Sequence, residues 1–154
     1  MGFYLERWQE IEELEDEATM LKKYIRENMW DEKTGFLYDQ YADGSLSTTK
    51  GIGAYWALYS DVLNDDQLKR MVSELDNPAT FKRKFRVPSL SADNPRYKAN
   101  GRYWQGGIWP STNYMVMNGL MEKGFRKEAR EIALSHYDQV FQVYKKTGTF
   151  WEYY

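Results

Sequence analysis

The run WPSTNYMVMNGLM, residues 109–121, is the strongest constraint on what this chain can fold into. Pro110 stands where helix N-termini accept proline, and the residues after it predict a helix over about 111–122. That helix is apolar nearly all round, so it has to be covered on most sides. The rest of the chain supplies helices to cover it. Trp8, Ile11, Leu14, Ala18, Leu21, Ile25 and Met29 recur at intervals of three and four, which predicts an amphipathic helix over about 3–29 with Glu and Lys on its outer face. Residues 50–60, KGIGAYWALYS, read as a buried helix whose first turn is weakened by Gly51 and Gly53. Asp65-Asp66 open a helix to about Leu75, with Leu68, Met71, Val72 and Leu75 facing inward, and Asn77-Pro78 stops it. A last helix spans roughly 126–145, with Phe125, Ala129, Ile132, Ala133, His136, Val140 and Tyr144 as its stripe, and Thr147-Gly148 closes it. The expected fold class is all-α, in antiparallel helical hairpins. Five helices in succession do not obviously cover the 111–122 segment, so a partner surface is expected as well.

Between the helices, Asp31–Gly35 predicts a turn, Phe36–Tyr38 a short extended piece and Asp43-Gly44 a second turn. The first turn begins like a calcium loop. It fails that pattern, with Lys33 where an oxygen ligand belongs and Ala42 at the twelfth position. Neither a metal nor another cofactor is expected. The loop acids Asp39, Asp43 and Asp93 read as turn or helix caps. Residues 79–108 are irregular, with Pro88, Asn94-Pro95, Gly101 and Gly106-Gly107. Loops this long are functional or disordered. This one carries Phe81, Phe85, Tyr97, Tyr103 and Trp104, which predicts order.

A formal net charge of -2 argues against nucleic acid as the main ligand. The basic run 81–86 reads as a solvated loop or helix end. No segment reaches the roughly 18 apolar residues of a membrane helix. With no cysteine there is no disulfide framework. The N-terminus turns charged by Glu6, so as it stands the chain reads as cytoplasmic, while a longer parent could be exported. His136 reads as a structural histidine. Six Trp and thirteen Tyr either fill a helical core or bind flat apolar faces such as sugar rings, nucleobases or a protein partner. The tail GTFWEYY sets Glu152 between Trp151 and Tyr153, a composition suited to burial where a terminus is normally polar.

The segments WDEKTGFLYD (30–39), VPSLSADNPRY (87–97), GRYWQGGIWPSTNYMVMNGL (101–120), KGFRKEAREIA (123–133) and GTFWEYY (148–154) follow one another in this order. Together they resemble the trehalase-like clan of inverting glycoside hydrolases, and most nearly glycoside hydrolase family 63 with its oligosaccharide glucosidase and mannosylglycerate hydrolase relatives. The resemblance spans nearly the whole chain. It implies the C-terminal half of an (α/α)6 barrel, one partial domain over 1–154. It also implies that Glu152 is the catalytic general base. Tyr103, Trp104, Gln105, Trp109, Asn113 and Trp151 fall at substrate-binding positions, although Asn113 reads equally well as a group of its own helix's first turn. Gln105 departs from the family, which usually carries arginine there. The family's general acid, an aspartate in an S-G-x-D-N type motif, has no counterpart here.

Inverting hydrolysis needs two carboxyls roughly 6.5–9.5 Å apart, one to protonate the departing oxygen and one to deprotonate water. The chain is therefore expected to be a fragment of an enzyme acting on α-linked glucosides or short oligosaccharides, inactive alone. Its expected partners are carbohydrate and either a second copy or an N-terminal half-barrel. The alternatives are a non-catalytic carbohydrate-binding module and a helical oligomerisation module. An S-G-x-D motif just upstream would mark the enzyme, sugar binding by a monomer the first alternative, and a stable oligomer blind to sugar the second.

Overall fold

The computed structural model describes residues 7–154, so the first residues of the predicted 3–29 helix lie outside it. Helix α1 runs Trp8–Asn28 and buries no residue along its length. Its predicted apolar stripe is real but largely uncovered. Only Ile25, together with Met29 just beyond the helix, packs against the core. Arg26 anchors that end by donating from Nε to the Val62 carbonyl at 2.6 Å.

A small antiparallel hairpin follows, β1 (Trp30–Asp31) and β2 (Phe36–Leu37), with Asp31 opposite Phe36. Asp31 sets the turn. Its carboxylate accepts from the Thr34 backbone N–H at 2.7 Å and from the Thr34 hydroxyl at 3.1 Å. The backbone bond holds the Asp31 carboxyl below the usual carboxylate range. The hairpin delivers Phe36, fully buried, to the centre of the molecule. There it meets Tyr55 and Phe81 with ring centroids 5.8 and 6.1 Å away.

The predicted helix over 50–60 is a 3₁₀ helix, Ile52–Tyr59. Three residues per turn put Ile52, Tyr55 and Leu58 on one buried face and Gly53, Trp56 and Tyr59 on an exposed one. Tyr55 donates its hydroxyl to the Met71 carbonyl at 3.1 Å, and burial pushes its phenol pKa well up. Helix α2, Asp65–Glu74, begins with a capping box between Asn64 and Gln67 and turns Met71 and Val72 inward, as predicted.

The 79–108 loop is ordered against the core. Phe81 and Val87 are fully buried. Arg86, at the end of the basic run expected to be solvated, is buried too. It donates to the Leu75 carbonyl at 2.9 Å and lies 3.5 Å from the Asp76 carboxylate. Lys82, Arg83 and Lys84 between them are exposed. Backbone bonds then tie distant stretches together. Ser91 N–H donates to Lys50, Ile52 N–H to Ser89, and Ser89 N–H to Gly107, each at 3.0 Å.

Helix α3, Pro110–Glu122, packs between the 3₁₀ helix and helix α4, Arg126–Thr147. Its inner face carries Asn113, Met115, Val116, Gly119 and Leu120. It is not covered all round, because Tyr114 and Met121 are exposed. On α4 the buried residues are Ala129, Ile132 and Gln139. The predicted stripe is corrected at Ala133 and Tyr144, which point outward.

Candidate active site

The C-terminal tail docks. Ile108 N–H donates to the Tyr154 carbonyl at 2.8 Å and Tyr154 N–H returns a bond to Ile108 at 2.9 Å. This reciprocal pair adds the tail to the backbone ladder already running through Lys50–Ile52, Ser89–Ser91 and Gly107. One residue earlier, the Tyr153 ring stacks on Trp109, centroids 5.0 Å apart and planes 24° apart. The other face belongs to Trp104, 4.1 Å from Trp109 and nearly parallel at 7°. Tyr103 closes the cluster edge-on, 4.9 Å from Trp109 and 5.7 Å from Tyr153. Trp109 is buried at the centre, while Trp104 and Tyr103 are about half exposed.

The backbone that presents these rings is strained. Gly101, Arg102 and Tyr103 all have positive φ, at 85°, 23° and 60°. Such conformations cost on the order of 1–3 kcal/mol for residues other than glycine and persist only where the surroundings enforce them. Here the enforcement is visible. Lys98 N–H donates to Gln105 at 2.7 Å, Gly101 N–H to Lys98 at 2.9 Å and Gly107 N–H to Tyr103 at 3.0 Å. Gly106, at φ 145°, has no room for a side chain, since a Cβ there would lie 2.5 Å from the Lys98 carbonyl.

Trp104 and Gln105 form one wall of a cavity of about 500 Å³, facing Trp56, Thr49, Arg96 and Thr112. Arg96 is fixed by donating from Nη2 to the Thr49 hydroxyl at 3.1 Å. Arg96 and Thr49 also border a neighbouring cleft of about 680 Å³, rich in hydroxyls from Thr34, Tyr38, Tyr41, Ser47 and Thr48. Trp56, Arg96 and Thr112 were not among the predicted site residues. No local signal marks Trp56, because 52–59 is apolar on every side and only the 3₁₀ geometry turns it outward.

The remaining predicted residues divide. Glu152 is exposed, next to the stacked Tyr153, and its carboxylate makes no hydrogen bond or ion pair among the described residues. Trp151 stands outside the stack and donates its indole N–H to the Thr147 hydroxyl at 3.2 Å. Neither lines the 500 Å³ cavity. Asn113, expected either at a substrate-binding position or as a group of its helix's first turn, is fully buried. It donates its amide to the Val87 carbonyl at 3.0 Å and to the Trp109 carbonyl at 3.3 Å, tying the loop to the first turn of α3. Asp43 and Asp93 make turn bonds, to Ser45 and Ser91 respectively.

A profile for the mannosylglycerate hydrolase MGH1-like glycoside hydrolase domain matches residues 4–154. The chain belongs to that glycoside hydrolase family. An uncharacterized protein of Borreliella burgdorferi is 29% identical over 138 residues, covering 87% of this chain and 29% of the relative. Among solved structures, the GH63 mannosylglycerate hydrolase of Thermus thermophilus superposes with a TM-score of 0.68 at 23% identity, over 83% of this chain and 30% of that one. The neutral trehalase Nth1 of Saccharomyces cerevisiae gives 0.79 at 16% identity, over 91% and 26%. At these identities the likeness establishes the fold, the helical hairpins of an (α/α)6 barrel. The chain spans less than a third of the length of the curated relatives it matches.

Proposed function

We propose that this MGH1-like domain supplies the general-base side of an inverting glycoside hydrolase acting on α-linked glucosides or short oligosaccharides. The reading rests on one observation above the others. The segment carrying Glu152 is pinned to the Trp-rich loop by the Ile108–Tyr154 backbone pair and the Tyr153–Trp109 stack. Through that stack, an exposed carboxylate shares a rigid mount with Trp104, whose indole walls the cavity. Sugar rings present flat faces of C–H bonds that pack on indole, while Gln105, Thr49, Thr112 and Arg96 offer partners to hydroxyls.

In this role Glu152 takes the proton from an attacking water, and its exposure suits a site that must admit that water. The second carboxyl, the general acid, comes from outside these residues. Asp43, Asp93 and Asp31 are each occupied in their own turns, while the Asp39 carboxylate, expected as a cap, makes no hydrogen bond among the described residues and does not line the 500 Å³ cavity. With only the base, the chain does not cleave a glycoside whose leaving oxygen must be protonated.

That division of labour is testable with α-D-glucosyl fluoride, whose fluoride departs with little need of an acid. The chain is expected to release fluoride above the buffer rate and to leave trehalose intact, with Glu152→Gln returning fluoride release to background. Fluoride release that Glu152→Gln leaves unchanged would overturn the base assignment. Cleavage of trehalose by the chain alone would overturn the outside acid.

A further inference from the structure

Ser89 lines the 500 Å³ cavity and is not among the sugar contacts named so far. It is also one of the most firmly held residues of the 79–108 loop. Val87, two residues before it, sits at φ 55° with its carbonyl accepting from the Asn113 amide at 3.0 Å. Pro88 between them fixes its own φ. Ser89 then makes three bonds. Its carbonyl accepts from the Ile52 N–H and its N–H donates to Gly107, each at 3.0 Å. Its hydroxyl oxygen accepts from the Gly106 N–H at 3.2 Å. The residue is thereby clamped between the 3₁₀ helix and the loop that carries Trp104 and Gln105, and it is only 6% exposed.

The hydroxyl proton is still uncommitted. A serine hydroxyl is one donor with two acceptor lone pairs. The Gly106 bond uses a lone pair, and among the described residues no oxygen receives the Ser89 proton. Neighbouring hydroxyls are spent differently. Thr112, on the same cavity wall, donates to the Trp109 carbonyl at 3.1 Å, and Ser91 donates to Asp93 at 2.6 Å. Thr49 accepts from Arg96 as Ser89 does from Gly106, but Thr49 is only half-buried. A buried donor needs a partner, and for a residue on the cavity wall the cavity is where one arrives. Accepting from an N–H also strengthens the hydroxyl as a donor.

We propose that Ser89 is a binding residue of this cavity, donating its proton to a hydroxyl oxygen of a bound sugar. The inference rests on the reading that the cavity seats a sugar, and it adds to that reading a short, buried donor held in one direction. A donor of that kind rejects an analogue without the matching hydroxyl, because the site's own group is then left unpaired.

The test is a set of maltose titrations followed by the Trp104 indole resonance, on the chain, Ser89→Ala and Ser89→Cys. Each is repeated with the monodeoxy maltoses. The Gly106 N–H also closes the 103–105 turn on the Tyr103 carbonyl, so it keeps an acceptor in Ser89→Ala. Circular dichroism and the Tyr153 ring resonances check that the loop and tail stay docked, and Ser89→Cys keeps the side-chain volume. Both variants are expected to bind maltose about three- to tenfold more weakly, the worth of one hydrogen bond. One deoxy analogue is expected to bind the chain more weakly by a similar factor, yet to bind both variants as well as maltose does. Unchanged maltose affinity in both variants would overturn the proposal. Weaker binding with every deoxy penalty kept would overturn the direct contact and make Ser89 a support of the loop. A chain that does not bind maltose at all would overturn the sugar reading, and this inference with it.

Discussion

Asn113 and Glu152 show how differently two polar residues near the aromatic cluster can be held. Asn113 has no exposure and binds two carbonyls, so Asn113→Ala leaves the Val87 carbonyl buried without its donor. A loss of about 1–3 kcal/mol is expected in urea denaturation. Glu152 makes no such bond, so Glu152→Gln should shift stability by no more than about 0.5 kcal/mol in the same measurement. The sequence alone left both roles open for Asn113, since nothing local says that a loop 26 residues away supplies its acceptor. His136 adds a pH dependence. It is half-buried, and burial lowers its pKa from the model-compound value of 6.5. The unfolded chain therefore takes up this proton first as pH falls. The stability held by neutral His136 is complete above about pH 6.5 and drains away below it, toward the lower folded pKa. Thermal melts between about pH 7 and pH 5 should show a drop that His136→Gln reduces. A drop equally steep in the variant would remove His136 as its source.

At the scale of elements, the helices were legible and their partners were not. Periods of three and four marked α1, α2 and α4 because one face of each differs from the other, while α3 was marked by Pro110 and the apolar run after it. The helix over 50–60 was legible as a helix but not as a 3₁₀ one, because IGAYWALY is apolar on every side, which erases the periodicity that would tell the two apart. The packing of α3 against it gives a sharp test. A Cβ on Gly119 would lie 2.6 Å from the Leu58 Cβ, in a helix interior where alanine is otherwise the better helix former. Gly119→Ala should therefore destabilise, by about 1–3 kcal/mol, as an overpacked contact does. A neutral or stabilising change in denaturant midpoint would show that the two elements can separate at little cost. The 79–108 loop was legible as ordered from its aromatics. Its path was not, because backbone bonds to Lys50, Ile52 and Tyr154 set it, and such pairing leaves no mark in local sequence.

For the molecule as a whole, the tail and the aromatic loop form one unit, and the two outermost helices remain open. The aromatic tail suggested burial; Tyr153 and Tyr154 are tied to Trp109 and Ile108, while Phe150 and Trp151 stay exposed. The strongest fold clue, a helix needing cover on most sides, holds for one face of α3, while Tyr114 and Met121 stay exposed. More uncovered apolar residues lie on α1 and α4 than on the helix that raised the question. Of the neighbouring residues Tyr103, Trp104, Gln105 and Trp109, the fold sets Trp104 and Gln105 in the cavity wall and Tyr103 and Trp109 in the ring cluster behind it. Trp56, Arg96 and Thr112 were missed because only the fold brings them to the same cavity. The claim that this cavity seats a sugar can be put to one measurement, the indole N–H resonances of the chain in two-dimensional NMR during titration with maltose. The Trp104 and Trp56 signals are expected to shift saturably and together, with the shifts lost in Trp104→Ala and kept in Glu152→Gln. Signals that stay fixed at high maltose, or Trp56 shifts that persist without the Trp104 indole, would contradict the account.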